Sequence, residues 1–379
     1  MTQTAVVYII TKLELGGAQK VCLSLFKHIP DTQISTFLIT GADGPLVQEV
    51  EKNCHVIFLK HLTREVAAKS IINEIKTFFA LIKHLHIIKK KYRMVIAHTH
   101  STKAGLLGRW AAFFARIPVR IHTVHGFAFN NFQPRIIWGL IYFLELITSF
   151  VTTQYVCVSQ ADINTGIKLF PRFKNKSTLI RAAVDYPTFY RPAHKTSFDA
   201  FTFGTIACFK KQKNLFDLLH AFNLVHQKHT NTQLEIIGDG ILRPKLEEWI
   251  SMHNLANTII LHGWQHNVAS IAQRWHAFVL TSLWEGLPCA VIEARLLKLP
   301  VISYKTGGIP EVIFDNTNGL LFEQKKWQSL ANSMIKLIEK PKLYKKLSAH
   351  NDNFADFQET RMIAKHSILY THLSQKIGI

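Results

Sequence analysis

The chain is poor in acid. Only 25 Asp and Glu stand against 45 Lys and Arg in 379 residues, a formal net charge of +20. Solubility does not need such a surplus, so it points to an anionic partner: a nucleotide, a phospholipid surface, a phosphorylated acceptor or nucleic acid. Cysteine is also sparse. Cys22, Cys54, Cys157, Cys208 and Cys289 are odd in number and form no CxxC pair, which argues for a reducing compartment and against structural zinc. No GxGxxG occurs, so a dinucleotide-binding reading loses its best support. Polar and low-complexity tracts are missing, and 48% hydrophobic against 18% charged residues excludes global disorder. The most membrane-like stretch, 136–151 (IIWGLIYFLELITSFV), is short for a bilayer span and carries Glu145; it is read as a buried helix. The N-terminal run has no basic region before it, which argues against a signal peptide.

What is present is a repeated alternation of short apolar runs and helical patterns. Residues 5–10, 34–40, 55–59, 94–98, 119–124 and 154–159 read as strands apolar on both faces, as in a parallel sheet covered by helices. The pattern restarts after the polar stretch 190–200, with 201–207, 233–238, 258–263, 277–282 and 300–304. Two consecutive βα series imply two doubly wound α/β domains, 1–190 and 200–355, joined near 186–200. The final segment, 356–379, is expected as a helix packing back on the first domain. Ligands of such sheets bind at the carboxyl ends of the strands, and two facing sheets make an inter-domain cleft there.

Lys69, Lys76, Lys83 and Lys90 recur every seven residues in a helical pattern, thickened by Lys89, Lys91 and Arg93. Seven residues are nearly two turns, so the lysines form one stripe. Ile71, Ile75, Phe78, Ile82 and Leu85 are expected on the buried face. The stripe suits either a solvated surface or anionic lipid headgroups. It lacks aromatic interleaving on its exposed side, which counts against nucleic acid.

The strongest chemical constellation is SLWEGLPCAVIEA, 282–294. A strand ends there and a helix is expected to begin near Leu287, with Glu285 on the turn and Glu293 about two turns inside. Gly286 permits close backbone approach, and the free amides beside Leu287 and Pro288 suit phosphate or sugar oxygens. A carboxylate accepts two hydrogen bonds from paired sugar hydroxyls. Gly16 and Gly17 likewise follow a strand and precede a helix, and are expected to bind the donor through that helix start. Gly307 and Gly308 are expected to bring amides to a nucleotide, with Glu311 orienting their loop.

This pattern resembles family 4 glycosyltransferases of GT-B architecture, in which an E-x7-E motif stands where Glu285 and Glu293 do. The resemblance covers nearly the whole chain: ELGGAQKV (14–21), HTHSTKAGLLGR (98–109), HTVHGF (122–127), VSQADI (158–163), GTIACFKKQKN (204–214), TGGIPEVI (306–313) and NGLLF (318–322), the last two as downstream loops. It implies that Glu285 holds the donor sugar, Glu293 the ribose and Lys213 the diphosphate. His125 matches the histidine lying near the donor sugar. Cys208 stands where the family usually has arginine, and a thiol cannot replace a guanidinium; Lys210 or Lys211 is expected to compensate. His100, Ser101 and Lys103 are placed on the acceptor side. The histidines 98, 100, 122 and 125 are not read as a metal site.

The resemblance further implies a retaining, metal-independent transferase without a cofactor. No DxD motif supports the metal site of the other major glycosyltransferase fold. Its surface-polysaccharide branch implies a UDP-sugar donor and a lipid-linked or saccharide acceptor, in capsule, O-antigen or exopolysaccharide assembly. The expected location is cytoplasmic, peripheral on the inner face of the plasma membrane. Two other readings stay open here: a nucleotide-sugar epimerase of similar architecture, and a non-catalytic sugar- or nucleic-acid-binding protein.

Overall fold

The computed structural model describes residues 4–29, 34–63, 71–191 and 200–376. The chain divides into two compact units. Met1–Ala183 with Glu359–Ile379 form the first, and Val184–Gln358 the second.

In the first unit the elements run β1 (Thr4–Ile9), α1 (Gly17–His28), β2 (Ile34–Thr40), β3 (Val56–Phe58), α2 (Ile71–Lys89), β4 (Met94–His100), α3 (Thr102–Phe114), β5 (Val119–Val124), α4 (Arg135–Val151), β6 (Gln154–Cys157), α5 (Gln160–Leu169), α6 (Phe173–Lys176) and β7 (Ser177–Leu179). The strands form one parallel sheet of order β3-β2-β1-β4-β5-β6-β7. Its centre is dry: Ala5 to Ile9 of β1 are wholly buried, as parallel strands covered on both faces must be.

The second unit contains α7 (Tyr186–Phe189), β8 (Phe201–Ile206), α8 (Leu215–Lys228), β9 (Thr232–Ile237), α9 (Arg243–Met252), β10 (Ile259–Gly263), α10 (Val268–Ala272), β11 (Ala277–Leu280), α11 (Cys289–Leu296), β12 (Val301–Tyr304), β13 (Gly319–Phe322), α12 (Trp327–Glu339) and α13 (Pro341–Ala349). Its sheet order is β10-β9-β8-β11-β12-β13, again parallel. The core is built by Phe203, Phe209, Phe222, Leu234 and Tyr304, among others. The last helix, α14 (Glu359–Lys376), returns to the first unit. There the Tyr370 hydroxyl lies 2.7 Å from His98 Nδ1 and 3.1 Å from the Tyr8 hydroxyl.

Several expectations need correction. Residues 184–191 belong to the second unit, where α7 packs on α11, so the division falls ahead of 186–200. NGLLF is an edge strand rather than a loop, and β7 has no counterpart in the sequence reading. The stretch 136–151 is not a buried helix: α4 turns Glu145, Thr148 and Ser149 inward and leaves Ile136, Leu140, Phe143 and Phe150 exposed. Trp138, Ile141, Tyr142 and Leu146 pack on the core beside these polar residues, and the inward carboxylate has a partner. Glu145 accepts two hydrogen bonds from the wholly buried Arg109, at 3.1 and 2.8 Å, and a buried cation needs such a partner.

On α2 the buried face is Thr77, Leu81, Leu85 and Ile88, so Ile71 and Ile75 are exposed instead of packed. Phe79 is exposed between Lys76 and Lys83, so the basic stripe does carry an aromatic. Lys69 lies outside the described residues.

Candidate functional site

Chain order in the second sheet reverses between β8 and β11. β8 leads outward to β9 on one side, and β11 to β12 on the other. The connections therefore diverge from the carboxyl ends of these two neighbours and leave a crevice at that edge, where open α/β sheets bind ligands.

Three loops meet there. After β8 comes 207–214, ending at Asn214 in the left-handed region (φ 48°); after β11 comes 281–288; after β12 comes 305–308. The Leu283 amide donates to Gln212 O at 2.8 Å, and Gln212 Nε2 donates to Trp284 O at 2.8 Å. Thr281 Oγ1 lies 3.0 Å from both the Lys213 and Asn214 carbonyls, and Gln324 Nε2 donates to Leu283 O at 2.6 Å. Gly307 needs its glycine: φ is +53°, and a Cβ would stand 2.1 Å from Glu285 O. The 281–286 backbone is thereby held from both sides.

The consequence is a fixed ion pair. Lys213 Nζ lies 2.5 Å from Glu285 Oε1, with the two side chains 16% and 9% exposed. Glu285 Oε2 is 3.5 Å from Gln212 Nε2, at the limit of a hydrogen bond. The arrangement offers an ammonium for an anion and a second carboxylate oxygen for a hydroxyl donor. The nearby Ser282 hydroxyl is buried and has no hydrogen-bond partner among the described residues.

The helix after this loop starts later than expected. α11 opens at Cys289, with Pro288 as its cap (φ −74°), so Glu293 lies one turn inside rather than two. Glu293 is buried at 8% exposure. Gly286 and Leu287 are buried loop residues. The Gly308 amide is not free for a ligand, because it donates to Gly286 O at 2.5 Å. Lys210 is half-buried beside Cys208, and its own amide donates to Cys208 O at 2.9 Å. Glu311 ends a short 3-10 turn, 309–311, after the Gly307–Gly308 pair.

The first sheet has its own reversal, between β1 and β4. Gly16 caps α1 with extended backbone and Gly17 opens it. Ser101, at φ 64°, faces Thr11 across this reversal with their hydroxyls 3.2 Å apart. His100 is wholly buried, its Nδ1 lying 3.1 Å from His125 Nε2. Its Nε2 is buried with no hydrogen-bond partner among the described residues. Lys103 pairs with Glu74 of α2 at 2.5 Å.

His98 is tied at Nδ1 to Tyr370 and at Nε2 to Thr123, both at 2.7 Å. His122 Nδ1 lies 2.9 Å from Thr99 Oγ1, which itself donates to Ile121 O; the imidazole must then be the donor to Thr99. Burial drives all of these rings toward neutrality. His98, His100 and His122 are held well below the ordinary imidazole value. His125 is lowered to about 4 by burial and then by His366, and His366 is lowered to about 4 by burial.

The structure thus brings Lys213 and Glu285 together, with Lys210 on the loop after β8, Gly286, Leu287 and Pro288 on the loop after β11, and Glu293 one turn into α11. It gathers Gly16, Gly17, His100, Ser101 and His125 at the carboxyl edge of the first sheet. Gln212, Thr281 and Gln324 were missed, since each acts by reaching a backbone carbonyl, which leaves no mark on residue spacing. Much of the 98–109 signature has a packing role. A Cβ on Gly105 would meet the His122 ring at 2.5 Å, and one on Gly108 would meet Thr99 at 2.8 Å.

Comparison with known proteins agrees in both units. Residues 15–186 match the Glycosyltransferase Family 4 model, and residues 188–353 match Glycosyl transferases group 1. The chain is 29% identical over 337 residues to the UDP-Gal:alpha-D-GlcNAc-diphosphoundecaprenol alpha-1,3-galactosyltransferase of Escherichia coli, covering 86% of this chain and 85% of that one. It is 24% identical to the capsular polysaccharide biosynthesis glycosyltransferase CapM of Staphylococcus aureus, over 79% of this chain and 80% of that one. Anabaena Alr3699/HepE, solved in complex with UDP-glucose, superposes with a TM-score of 0.79 at 17% identity, over 97% of this chain and 99% of that one. At that identity the last likeness is one of fold.

Proposed function

Because this chain belongs to family 4 of the glycosyltransferases and carries the two Rossmann-like units of the GT-B fold, we propose that it transfers a hexosyl or N-acetylhexosaminyl group from a UDP-sugar to a lipid-linked saccharide. The donor lies on the second unit, at the crevice between β8 and β11. The observation that carries this reading is the Lys213–Glu285 pair at 2.5 Å, held on two loops by Gln212 and Thr281.

In this reading Lys213 meets the donor diphosphate, and Lys210 adds charge where Cys208 leaves no guanidinium. Glu285 keeps one oxygen on Lys213 and offers the other to the sugar. Glu293, one turn into α11, takes the ribose. As the anomeric C–O bond breaks, its electron pair passes to the leaving phosphate oxygen, and the Lys213 ammonium stabilises that growing charge. The acceptor hydroxyl bonds to the anomeric carbon on the same face and gives its proton to the departing phosphate oxygen. Retention follows, and no separate basic carboxylate, metal or cofactor is invoked. His125, on the first unit, is neutral at pH 7 by its lowered pKa, so it can donate or accept a hydrogen bond without adding charge.

The acceptor belongs to the first unit, with His100, Ser101 and Lys103 at the carboxyl edge of its sheet, where Gly16 and Gly17 open α1 toward the donor. The Escherichia coli relative acts on a diphosphoundecaprenol-linked GlcNAc with UDP-Gal. That likeness supports a polyprenyl-diphosphate acceptor in surface-polysaccharide assembly, and a place at the inner membrane face. No helix among the described residues is long and apolar enough to cross a membrane, so such a place rests on surface binding.

The test is turnover of a UDP-sugar panel with a polyprenyl-diphosphate GlcNAc acceptor, for the native chain and for Lys213→Gln and Glu285→Gln. Each variant is expected to lose about a hundredfold or more in kcat, the effect of removing one preorganised charge stabiliser. A Lys213→Gln enzyme that keeps kcat within a few-fold refutes the assignment. Donor consumed and converted to its epimer without acceptor identifies an epimerase instead.

A further inference from the structure

The helix α4 packs Trp138, Ile141, Tyr142 and Leu146 on the core but leaves a second apolar face outside. Its polar residues Glu145, Thr148 and Ser149 are buried, while Ile136, Leu140, Phe143 and Phe150 are 86%, 58%, 57% and 71% exposed. These four positions share one helix face at spacings of four, three and seven. Neighbouring helices extend it. Phe79 of α2 and Phe113 and Phe114 of α3 are exposed, and ring contacts link them through Phe78, with Phe78 and Phe114 centroids 5.9 Å apart. Trp110 joins α3 to α4 through its Nε1 donating to Thr148 Oγ1 at 3.0 Å. A monomeric soluble protein rarely leaves so continuous an apolar surface uncovered.

Cations border this surface. Lys76 and Lys83 lie exposed on α2 and Lys90 just past its end, and Arg135 stands exposed at the start of α4. A pocket of about 450 Å3 opens where α3 leads into β5, lined by Phe113, Phe114, Arg116, Ile117, Pro118 and Arg120. The Arg120 guanidinium is held over the Phe113 ring at 5.6 Å while donating to Val151 O at 2.5 Å. Arg116 is exposed at its rim.

We propose that α4 and the exposed rings of α2 and α3 form one docking surface for an anionic phospholipid bilayer, α4 lying in the interface with its apolar face among the acyl chains. Arg116 and Arg120 meet a lipid phosphate in the pocket, and the α2 lysines meet the headgroups around it. This deepens the membrane placement given above and rests on it for the choice of an anionic leaflet. Charge decides the occupant. A second copy packed on this face by two-fold symmetry would bring the same cations against one another, in a chain of net charge +20. Nucleic acid gains nothing from Ile136 or Leu140, which cannot stack on bases as aromatics do. Hydrocarbon beside phosphate satisfies both halves of the surface.

The experiment is co-sedimentation of the full chain with vesicles of phosphatidylcholine alone, and of phosphatidylcholine mixed with phosphatidylglycerol. Binding is expected on the mixed vesicles. Leu140→Ser, Phe143→Ser and Phe150→Ser each weaken it about tenfold, since each removes a large side chain from hydrocarbon. Lys76→Gln, Lys83→Gln and Lys90→Gln each weaken it about fivefold on anionic vesicles only. UDP binding and far-UV circular dichroism of the α4 variants stay as in the native chain, which separates this proposal from the donor-site reading; Lys213→Gln changes neither vesicle binding nor its salt dependence. Unchanged vesicle binding by a variant combining Leu140→Ser, Phe143→Ser and Phe150→Ser overturns the proposal. So does a dimer in sedimentation velocity that the same variant dissociates, or displacement from vesicles by single-stranded DNA.

Discussion

Acid should weaken the first unit well before the carboxylates protonate. His125 and His366 are each lowered to about 4 from 6.5, both chiefly by burial. The unfolded chain then binds more protons than the native one below pH 6.5, so stability is full above that value and is lost as pH falls toward 4. At pH 5, RT ln[(1 + 10^1.5)/(1 + 10^−1)] gives about 2 kcal/mol for each group, or about 4 kcal/mol for the pair. His98, His100 and His122 are shifted the same way and add to this. Against a whole-domain stability of about 5–15 kcal/mol, that is a large fraction. Hydrogen exchange of peptides from β4 and β5, corrected for intrinsic rates, reads the opening free energy of this unit alone at pH 7.5 and 5.0. His366→Phe, which keeps a ring on α14 and removes one titrating group, should recover about 2 kcal/mol of the difference. Equal protection at the two pH values would mean that the imidazoles protonate freely in the folded state, and the burial argument would fail.

Other perturbations follow from single contacts. Glu145→Leu strands the buried Arg109 and should lower first-unit stability by about 3–5 kcal/mol in urea unfolding. Gly307→Ala forces a Cβ against Glu285 O at positive φ, so UDP affinity by calorimetry should fall about tenfold, an estimate of about 1.4 kcal/mol of misplacement. Gly204→Ala drives a methyl into the Trp275 ring, 1.9 Å away, and should destabilise the second unit by about 1–3 kcal/mol or more with little change in m-value. Thr281→Val removes the hydroxyl lying over the Lys213 and Asn214 carbonyls; it should lower thermal stability by about 1 kcal/mol and kcat together.

Most strands were legible because parallel sheets covered by helices write their burial as unbroken apolar runs. β2 and β5 match their expected bounds residue for residue. β7 was invisible for the opposite reason: three residues, all half-buried, at a sheet edge carry no such run. The 282–294 stretch could be read as a site from glycine, proline and two carboxylates, and Lys213 does stand beside Glu285. The start of its helix was misplaced because Pro288 fits the cap as well as the first turn. α4 shows a different limit. Its composition says apolar, but which face turns inward depends on Arg109, thirty-six positions from Glu145 in sequence, and no local pattern reports a partner that far away.

The route of the chain has its own consequence. The second unit is inserted between Ala183 and Glu359, and the first is sealed by the Tyr370 hydroxyl reaching Tyr8 and His98 across more than 270 positions. During synthesis the ribosome must release residues 359–376 before β1 and β4 acquire these partners. Until then Tyr8 and His98 lack their Tyr370 partner, so the protein's earliest-made half is completed by its last-made helix.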